Sequence, residues 1–199
     1  MKDELLEFKK NSILGKVSGQ PLCQDYISAW RKCGNDKEML VRLALQQQST
    51  PYVSHACYKH LGLTKEYIIE NFGEYINGKR TFSDVEGVSG YTYQLYVGYD
   101  KDFEITADVT SLMWCDGSQI VIPQTKCSTL YVSNSSDVHI SCDGFNSPRI
   151  YLFDDSCVTI DDSDENTDII VYKYDSRANV DVGKFCLGKV KVFNKELRL

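Results

Sequence analysis

The chain has 199 residues, of which 42% are hydrophobic and 25% are charged, and these proportions exclude a disordered or collagen-like chain. Its net charge is −6, which argues against a protein that holds nucleic acid directly by bulk positive charge. The charge is unevenly divided. Residues 1–99 hold 12 basic and 11 acidic side chains, a net of +1, and residues 100–199 hold 10 and 17, a net of −7.

The N-terminal residues contain two early acids and no apolar core of a signal peptide, and no apolar run reaches the roughly 20 residues of a membrane span. We therefore expect a cytoplasmic or virion protein that is neither secreted nor bound to a membrane. The eight cysteines include no C-x-x-C pair, and the three histidines show no zinc-ligand spacing. Reduced thiols and the absence of a metal or other cofactor are the expectation.

Residues 1–80 are predicted to form a compact bundle of short helices. The first covers residues 3–10, and the second runs from Pro21 to Cys33, where Gly34 supplies a left-handed stop. The later helices open at capping signals: Asn35 with Glu38, then Ser49-Thr50-Pro51, then Thr64. A helix-turn-helix around Gly62 would present Glu66, Glu70 and Glu74 to DNA phosphates, so a plain helical hairpin is favoured.

Residues 81–102 are predicted to be a connector that contains one amphipathic strand. From Tyr91 to Tyr99 apolar and aromatic residues occupy every second position, which is typical of a half-buried strand.

Residues 103–199 repeat with a period of about 20. Apolar pairs recur at Leu130-Tyr131-Val132, Ile150-Tyr151-Leu152, Ile170-Val171-Tyr172 and Val190-Lys191-Val192. A second strand recurs inside each unit, and Ser136, Ser156 and Ser176 mark an equivalent turn. The fixed period predicts a short parallel β-solenoid and an α+β protein overall; a sandwich of hairpins, the alternative, predicts no fixed period.

The repeat also predicts which side chains point inward. Two interior columns are expected: Leu112, Leu130, Ile150, Ile170 and Val190 in one, and Ile122, Ile140, Ile160 and Val180 in the other. Strand alternation then directs Met113, Tyr131, Tyr151 and Val171 outward as an apolar stripe. Three interpretations of the stripe stay open: packing under the helical module or under Tyr91–Tyr99, a protein-binding surface, or stacking on carbohydrate.

Acidic residues are concentrated in the turns of the repeat. The candidates for an interaction surface are Asp154, Asp155, Asp161, Asp162, Asp164, Glu165 and Asp175. Asp162-x-Asp164-x-Asn166 resembles the start of a calcium loop, but Thr167 replaces the required glycine, which argues against an EF-hand. Asp155 and Asp175 occupy equivalent positions of successive repeats, so the repeat would stack their carboxylates at the separation that a retaining glycosidase needs.

Motifs of nucleotide-binding, esterase and metalloprotease sites are absent from the sequence. We therefore assign no catalytic residue and expect a protein that is not an enzyme.

Residues 22–96 contain four aromatic-rich motifs: Leu22-Cys23-x-x-Tyr26 with Trp30, Gly62-Leu63-Thr64-x-x-Tyr67-Ile68, Phe72-x-x-Tyr75-Ile76-Asn77-Gly78 and Gly90-Tyr91-Thr92-x-x-Leu95-Tyr96. This pattern resembles small accessory proteins of gut Bacteroidales phages and prophages. It implies a phage or mobile-element accessory protein, and it implies no catalytic residues.

Two classes of function follow. The first is a non-enzymatic interaction protein whose acidic surface imitates phosphates, either an inhibitor of a host defence complex such as an anti-CRISPR or a virion accessory part. Its partner would be a basic-cleft host complex or a phage structural protein, and its oligomeric state is left open. The second is a carbohydrate-binding or carbohydrate-cleaving solenoid that uses Asp155 and Asp175.

Overall fold

The computed structural model describes residues 24–46, 64–83, 90–125, 129–144 and 146–195. The chain divides into two compact units: Met1–Tyr75 with Arg198–Leu199, and Ile76–Leu197. The first contains the described helices and the second contains the described strands.

Three helices are described in the first unit: α1 (Gln24–Lys32), α2 (Lys37–Gln46) and α3 (Lys65–Phe72). Apolar side chains on all three are buried, among them Trp30, Leu40, Leu45 and Ile68. The helices predicted at residues 3–10 and after Ser49 lie outside the described residues. The complete bundle therefore stays a prediction.

The sequence signals at the helix ends are largely confirmed. Gly34 has a φ of +56°, the left-handed conformation expected after α1. The Thr64 hydroxyl accepts a hydrogen bond from the Tyr67 N–H at 3.2 Å and caps α3. At α2 the cap is Asp36, whose carboxylate accepts the Met39 N–H at 3.0 Å, so the predicted pairing of Asn35 with Glu38 is one residue out of position.

The second unit is a parallel β-solenoid, as the repeat predicts. Sheet A has seven strands in the order β1-β2-β4-β6-β8-β10-β12: β1 (Phe82–Ser83), β2 (Thr92–Val97), β4 (Val109–Met113), β6 (Thr129–Ser133), β8 (Arg149–Leu152), β10 (Asp168–Lys173) and β12 (Lys189–Asn194). Sheet B has five in the order β11-β9-β7-β5-β3: β3 (Phe103–Glu104), β5 (Asp116–Ile122), β7 (Asp137–Cys142), β9 (Cys157–Ser163) and β11 (Asn179–Cys186). Inward side chains from both sheets form one apolar core.

The first coil begins earlier than the sequence indicates. Strand β2, expected in the connector, pairs in parallel with β4, so it belongs to sheet A. Both of its faces are buried, whereas strict alternation predicted a half-buried strand. The short strand β1 lies antiparallel to β2 and covers its other edge.

The spacing between coils is not constant. Thr129 pairs with Arg149, which is the 20-residue spacing that the repeat predicts. Arg149 then pairs with Ile170, and Ile170 pairs with Lys191, so the spacing between these later coils is 21 residues. In sheet B, β-bulges interrupt the pairing of β5 with β7, β7 with β9 and β9 with β11. Inserted residues shift every later side chain by one position along its strand.

This shift corrects both predicted columns. In sheet A the register aligns Thr110, Leu130, Ile150, Val171 and Val192 in one inward column, and Leu112, Val132, Leu152 and Lys173 in a second. In sheet B it aligns Ile120, Ile140, Ile160 and Val182. Val171, predicted to point outward, is 0% exposed and belongs to the core. Ile170, predicted to point inward, is half-buried on the outer face.

Substitutions at Val171 and Ile170 test the register. Val171→Asp should lower the free energy of unfolding by more than about 3 kcal/mol, because it places a carboxylate in a dry core. Ile170→Asp should cost about 1 kcal/mol. Urea unfolding of both variants measures the difference. A larger loss of unfolding free energy in Ile170→Asp than in Val171→Asp would contradict this register and support the constant period that the sequence predicts.

Candidate interaction surfaces

The corner that follows four successive strands of sheet A is built on a left-handed residue. Gly98, Trp114, Asn134 and Asp154 follow β2, β4, β6 and β8 and have φ values of +58°, +52°, +57° and +60°. Glycine, asparagine and aspartate tolerate this conformation better than other residues, which explains three of the four choices. The turn therefore recurs because the backbone changes direction at the same level of these four coils.

Asp154 belongs to this corner rather than to an exposed surface. Its side chain is buried, and its Oδ2 accepts a hydrogen bond from the Asn134 N–H at 3.2 Å. The bond ties one corner to the preceding one. The prediction of Asp154 as an accessible recognition residue is corrected by this burial.

Next to the corner lies a buried serine ladder. The hydroxyls of Ser136 and Ser156 donate to the carbonyls of Ser133 and Phe153 at 2.6 and 2.7 Å. Ser176, expected to continue the ladder, is exposed. The buried position is taken instead by Ala178. The residue after it, Asn179, donates its N–H to the Ser156 carbonyl, and this bond places Ala178 level with Ser156.

Asp155 and Asp175 do not stack as the constant period predicts. Leu152 pairs with Lys173 and Cys157 pairs with Asn179, so across this turn the offset between the two coils is 21 to 22 residues rather than the 20 that would align Asp155 with Asp175. The Asp175 carboxylate binds the Arg177 guanidinium through Nη2 at 2.8 Å and Nε at 3.0 Å. Bonding to Asp175 raises the pKa of Arg177. Asp155 accepts the Ser135 hydroxyl at 2.7 Å, so each carboxylate has its own partner.

An aromatic ladder runs along the outer face of sheet A, formed by Tyr131, Tyr151, Tyr172 and Phe193. Successive ring centroids are 5.0, 5.1 and 5.6 Å apart, with interplanar angles of 19–25°. Because the rings stack on one another, most of their faces are already covered and their edges point away from the sheet.

Exposure increases along the aromatic ladder. Tyr131 is 4% exposed, Tyr151 and Tyr172 are half-buried, and Phe193 is exposed. Met113, also predicted on the stripe, is fully buried although it lies on the outer side of β4. Of the four predicted stripe residues, only Tyr151 is partly accessible.

A constant period of about 20 residues does not predict that Tyr172 and Phe193 belong to the aromatic ladder. The signal is present in the tripeptides Ile150-Tyr151-Leu152, Val171-Tyr172-Lys173 and Val192-Phe193-Asn194, which align when the period is lengthened by one. Aligning the central aromatic residues would have found the ladder. A second stack, Phe153 on Tyr174 at 5.2 Å, lies next to it.

An acidic face covers the outer side of sheet B. Seven carboxylate side chains lie there at exposed or half-buried positions: Asp102, Glu104, Asp116, Asp137, Asp161, Asp162 and Asp181. Strand alternation directs Glu104, Asp137 and Asp181 outward because their neighbours point into the core. Asp161 and Asp162 are adjacent, and both reach the outer side because a bulge leaves Asp161 without a cross-strand partner in β7. Asp102 precedes β3, and its Oδ1 accepts the Gln119 N–H at 3.1 Å. None of the seven forms an ion pair with a lysine or arginine within the described residues.

Asp161 and Asp162 lie in strand β9, which corrects the prediction that they belong to a turn. Asp161 contacts His139 across the strands, with 2.7 Å between its Oδ2 and the histidine Nδ1. Asp164 and Glu165 lie in the exposed turn between β9 and β10. The Asp164 carboxylate accepts the backbone and side-chain amides of Asn166, both at 2.9 Å, so it closes a local turn.

Burial favours the neutral forms of two tyrosines and one cysteine of the solenoid. Burial raises the pKa of Tyr131, with further contributions from Tyr151 and Tyr174. Burial, with Tyr99 and Cys115, raises the pKa of Tyr96 to about 12. Burial likewise raises the pKa of the Cys142 thiol to about 12, so this thiol is a poor nucleophile near neutral pH. All five described cysteines are thiols rather than half-cystines.

Metal clusters and membrane spans are both missing from the described ranges. No group of three or more histidine, cysteine, aspartate or glutamate side chains there could hold a metal ion. None of the described helices is long and apolar enough to cross a membrane.

Comparisons with protein families, with curated proteins and with solved structures found no match to this chain.

Substitutions at Asp154 distinguish a corner residue from a recognition residue. Asp154→Ala should lower the free energy of unfolding by about 1–3 kcal/mol, because alanine loses the bond to Asn134 and disfavours a positive φ. Asp154→Asn keeps an acceptor oxygen and tolerates this φ, so it should cost less than about 1 kcal/mol. Denaturant unfolding measures both values; equal losses would contradict this role.

The raised pKa of Tyr96 predicts that the protein loses stability at alkaline pH. The folded pKa of this tyrosine, about 12, lies above its ordinary value of 10, so the folded state binds the phenolic proton more tightly. Its contribution to stability is fully present below pH 10 and is lost as the pH rises from 10 through about 12. Urea unfolding across this range should show a smaller decline in Tyr96→Phe than in the wild type, and identical declines would contradict the assignment.

Proposed function

We propose that this chain is a non-enzymatic protein that binds a basic partner through the acidic face of sheet B. The observation that carries the proposal is the set of seven outward carboxylates, none of which is ion-paired with a lysine or arginine in the described chain. Exposed carboxylates are hydrated and stay charged without a neighbour. A group of them on a rigid sheet is therefore available to the cationic side chains of a partner.

The solenoid supplies a regular spacing for these charges. Successive strands of a sheet are about 4.8 Å apart, which fixes the distances between acidic side chains of different coils. Gln119, His139, Thr159 and Asp181 occupy one outward row, and Val121, Ser141, Asp162 and Phe185 occupy the next. Each row contributes one acid, Asp116 pairs with Asp137 on the neighbouring strand, and the other acids lie beside the rows.

A nucleic-acid-binding cleft is the partner that this surface fits best. Such a cleft is lined with lysine and arginine that hold phosphates, and a rigid array of carboxylates would compete for the same side chains. The resemblance of residues 22–96 to phage accessory proteins suggests the setting: inhibition of a host defence complex, such as an anti-CRISPR, with a virion accessory part as the alternative.

The geometry gives no support to the carbohydrate alternative. Sugars bind to open aromatic faces, whereas the ladder rings cover one another at 5.0–5.6 Å. A retaining glycosidase needs two carboxyl groups about 5 Å apart, whereas Asp175 is bound to Arg177 and the register offsets Asp155 from Asp175.

The decisive experiment compares two baits with the same net charge. The test variant carries Glu104→Gln, Asp162→Asn and Asp181→Asn; the control carries Glu66→Gln, Glu70→Gln and Glu74→Gln on or beside α3, where all three side chains are exposed. Capture from lysogenic or infected bacterial cells, followed by mass spectrometry, identifies the partner. Its purified form is then titrated with each bait and with nucleic acid.

We expect the partner to be a nucleic-acid-binding protein that the wild type and the control displace from nucleic acid. The test variant should associate about tenfold more slowly and show a weaker dependence on salt. Binding that is equal for the two triple variants, or a partner that holds this chain and nucleic acid at once, would contradict the proposal.

A further inference from the structure

The last coil, formed by β11 and β12, leaves the apolar core open. Within the described chain these two strands are terminal in their sheets. Val182 and Val192 continue the core columns of Ile160 and Val171, yet they are 52% and 46% exposed. Solenoids require a cover or a polar surface at a terminal coil, because an open core end exposes apolar area to water.

The opposite end of the solenoid is closed by the chain itself. Strand β1 pairs with the edge of β2. Asn77 continues this closure: its N–H donates to the Leu95 carbonyl at 2.9 Å, and its Oδ1 accepts the Val97 N–H at 2.9 Å. No described segment pairs with β12 in this way.

The outer edge of β12 has backbone groups available for another strand. Lys189 and Lys195 donate their N–H groups inward, to the carbonyls of Thr167 at 2.8 Å and Lys173 at 2.7 Å. Successive residues of a strand direct their backbone groups to alternate sides. Val190, Val192 and Asn194 therefore direct theirs away from β10, as in a sheet edge that accepts an added strand.

The charge of this coil determines what can bind there. Residues 179–195 hold four lysines (184, 189, 191 and 195) and one acid, Asp181, a net of +3 in a chain whose total is −6. Three of the lysines lie on or just beyond β12, alternate with Val190 and Val192, and are exposed. Two copies meeting edge to edge would place these positive charges together, which disfavours a second copy as the occupant.

We propose that the edge of β12 binds an extended acidic peptide segment of another protein, which adds as the next strand of sheet A. Apolar side chains of the segment cover Val190 and Val192, and carboxylates at alternate positions lie beside Lys189, Lys191 and Lys195. The segment satisfies the outward backbone groups and closes the core. This site is separate from the acidic face, which lies on sheet B.

The test uses the full chain and three synthetic peptides in fluorescence anisotropy titrations. The first peptide alternates Val and Glu, the second alternates Val and Lys, and the third is the Val/Glu peptide with alternate backbone nitrogens methylated. Two variants address the site: Lys189→Glu with Lys191→Glu, and Val192→Pro, which removes an outward N–H but none of the bonds to β10. The matched control is Lys79→Glu with Lys101→Glu, at exposed positions elsewhere in the same unit.

We expect the Val/Glu peptide to bind the wild type and the control equally. Its affinity should fall about tenfold in the Lys189/Lys191 variant, since attraction becomes repulsion. It should be lost in Val192→Pro and with the methylated peptide. The methylated peptide tests the same hydrogen bonds in the wild type, so the result stands even where Val192→Pro fails to fold.

Several results would overturn the proposal. These are no binding of the Val/Glu peptide, equal binding of the Val/Lys or methylated peptide, or unchanged affinity in the Lys189/Lys191 variant. A wild-type dimer by light scattering that Val192→Pro converts to a monomer would instead identify a second copy as the occupant.

Discussion

The backbone hydrogen bonds between successive coils are the constraint on which the other features of the solenoid depend. Each strand is held in parallel register by its neighbours, so a side chain can only occupy the level and the face that the register assigns. A single insertion between strands therefore changes which residues enter the core and which reach the surface. The longer step that follows Arg149 does this to the last coils.

The same register separates two kinds of surface. Sheet A carries stacked aromatic rings from Tyr131 to Phe193, and sheet B carries carboxylates from Asp102 to Asp181. The rings stabilise one another and reduce the apolar area that water contacts. The carboxylates repel one another, which costs stability unless an external cation compensates. This difference is why we assign the aromatic ladder a mainly structural role and the acidic face a role in binding.

The two ends of the solenoid also differ. The first coil is closed by β1 and Asn77, whereas the last coil exposes Val182 and Val192 at the end of the core columns. Lysines at the open edge limit uncontrolled pairing with other strands, a common device at sheet edges. The same lysines favour an acidic strand over a neutral one, so protection against aggregation and selection of a partner have one physical origin.

The sequence by itself was sufficient for the solenoid architecture of the repeat region, because a regular apolar period depends on near neighbours. Only the tertiary structure decided the faces of the last coils and the buried role of Asp154. Bulges and inserted residues are accommodated by pairing with the preceding coil, and no local pattern specifies where they occur. Val171 and Tyr172 are adjacent and both apolar, so either could have pointed inward. The hydrogen bonds to β8 selected Val171, because the ladder aligns it with Ile150 in the core.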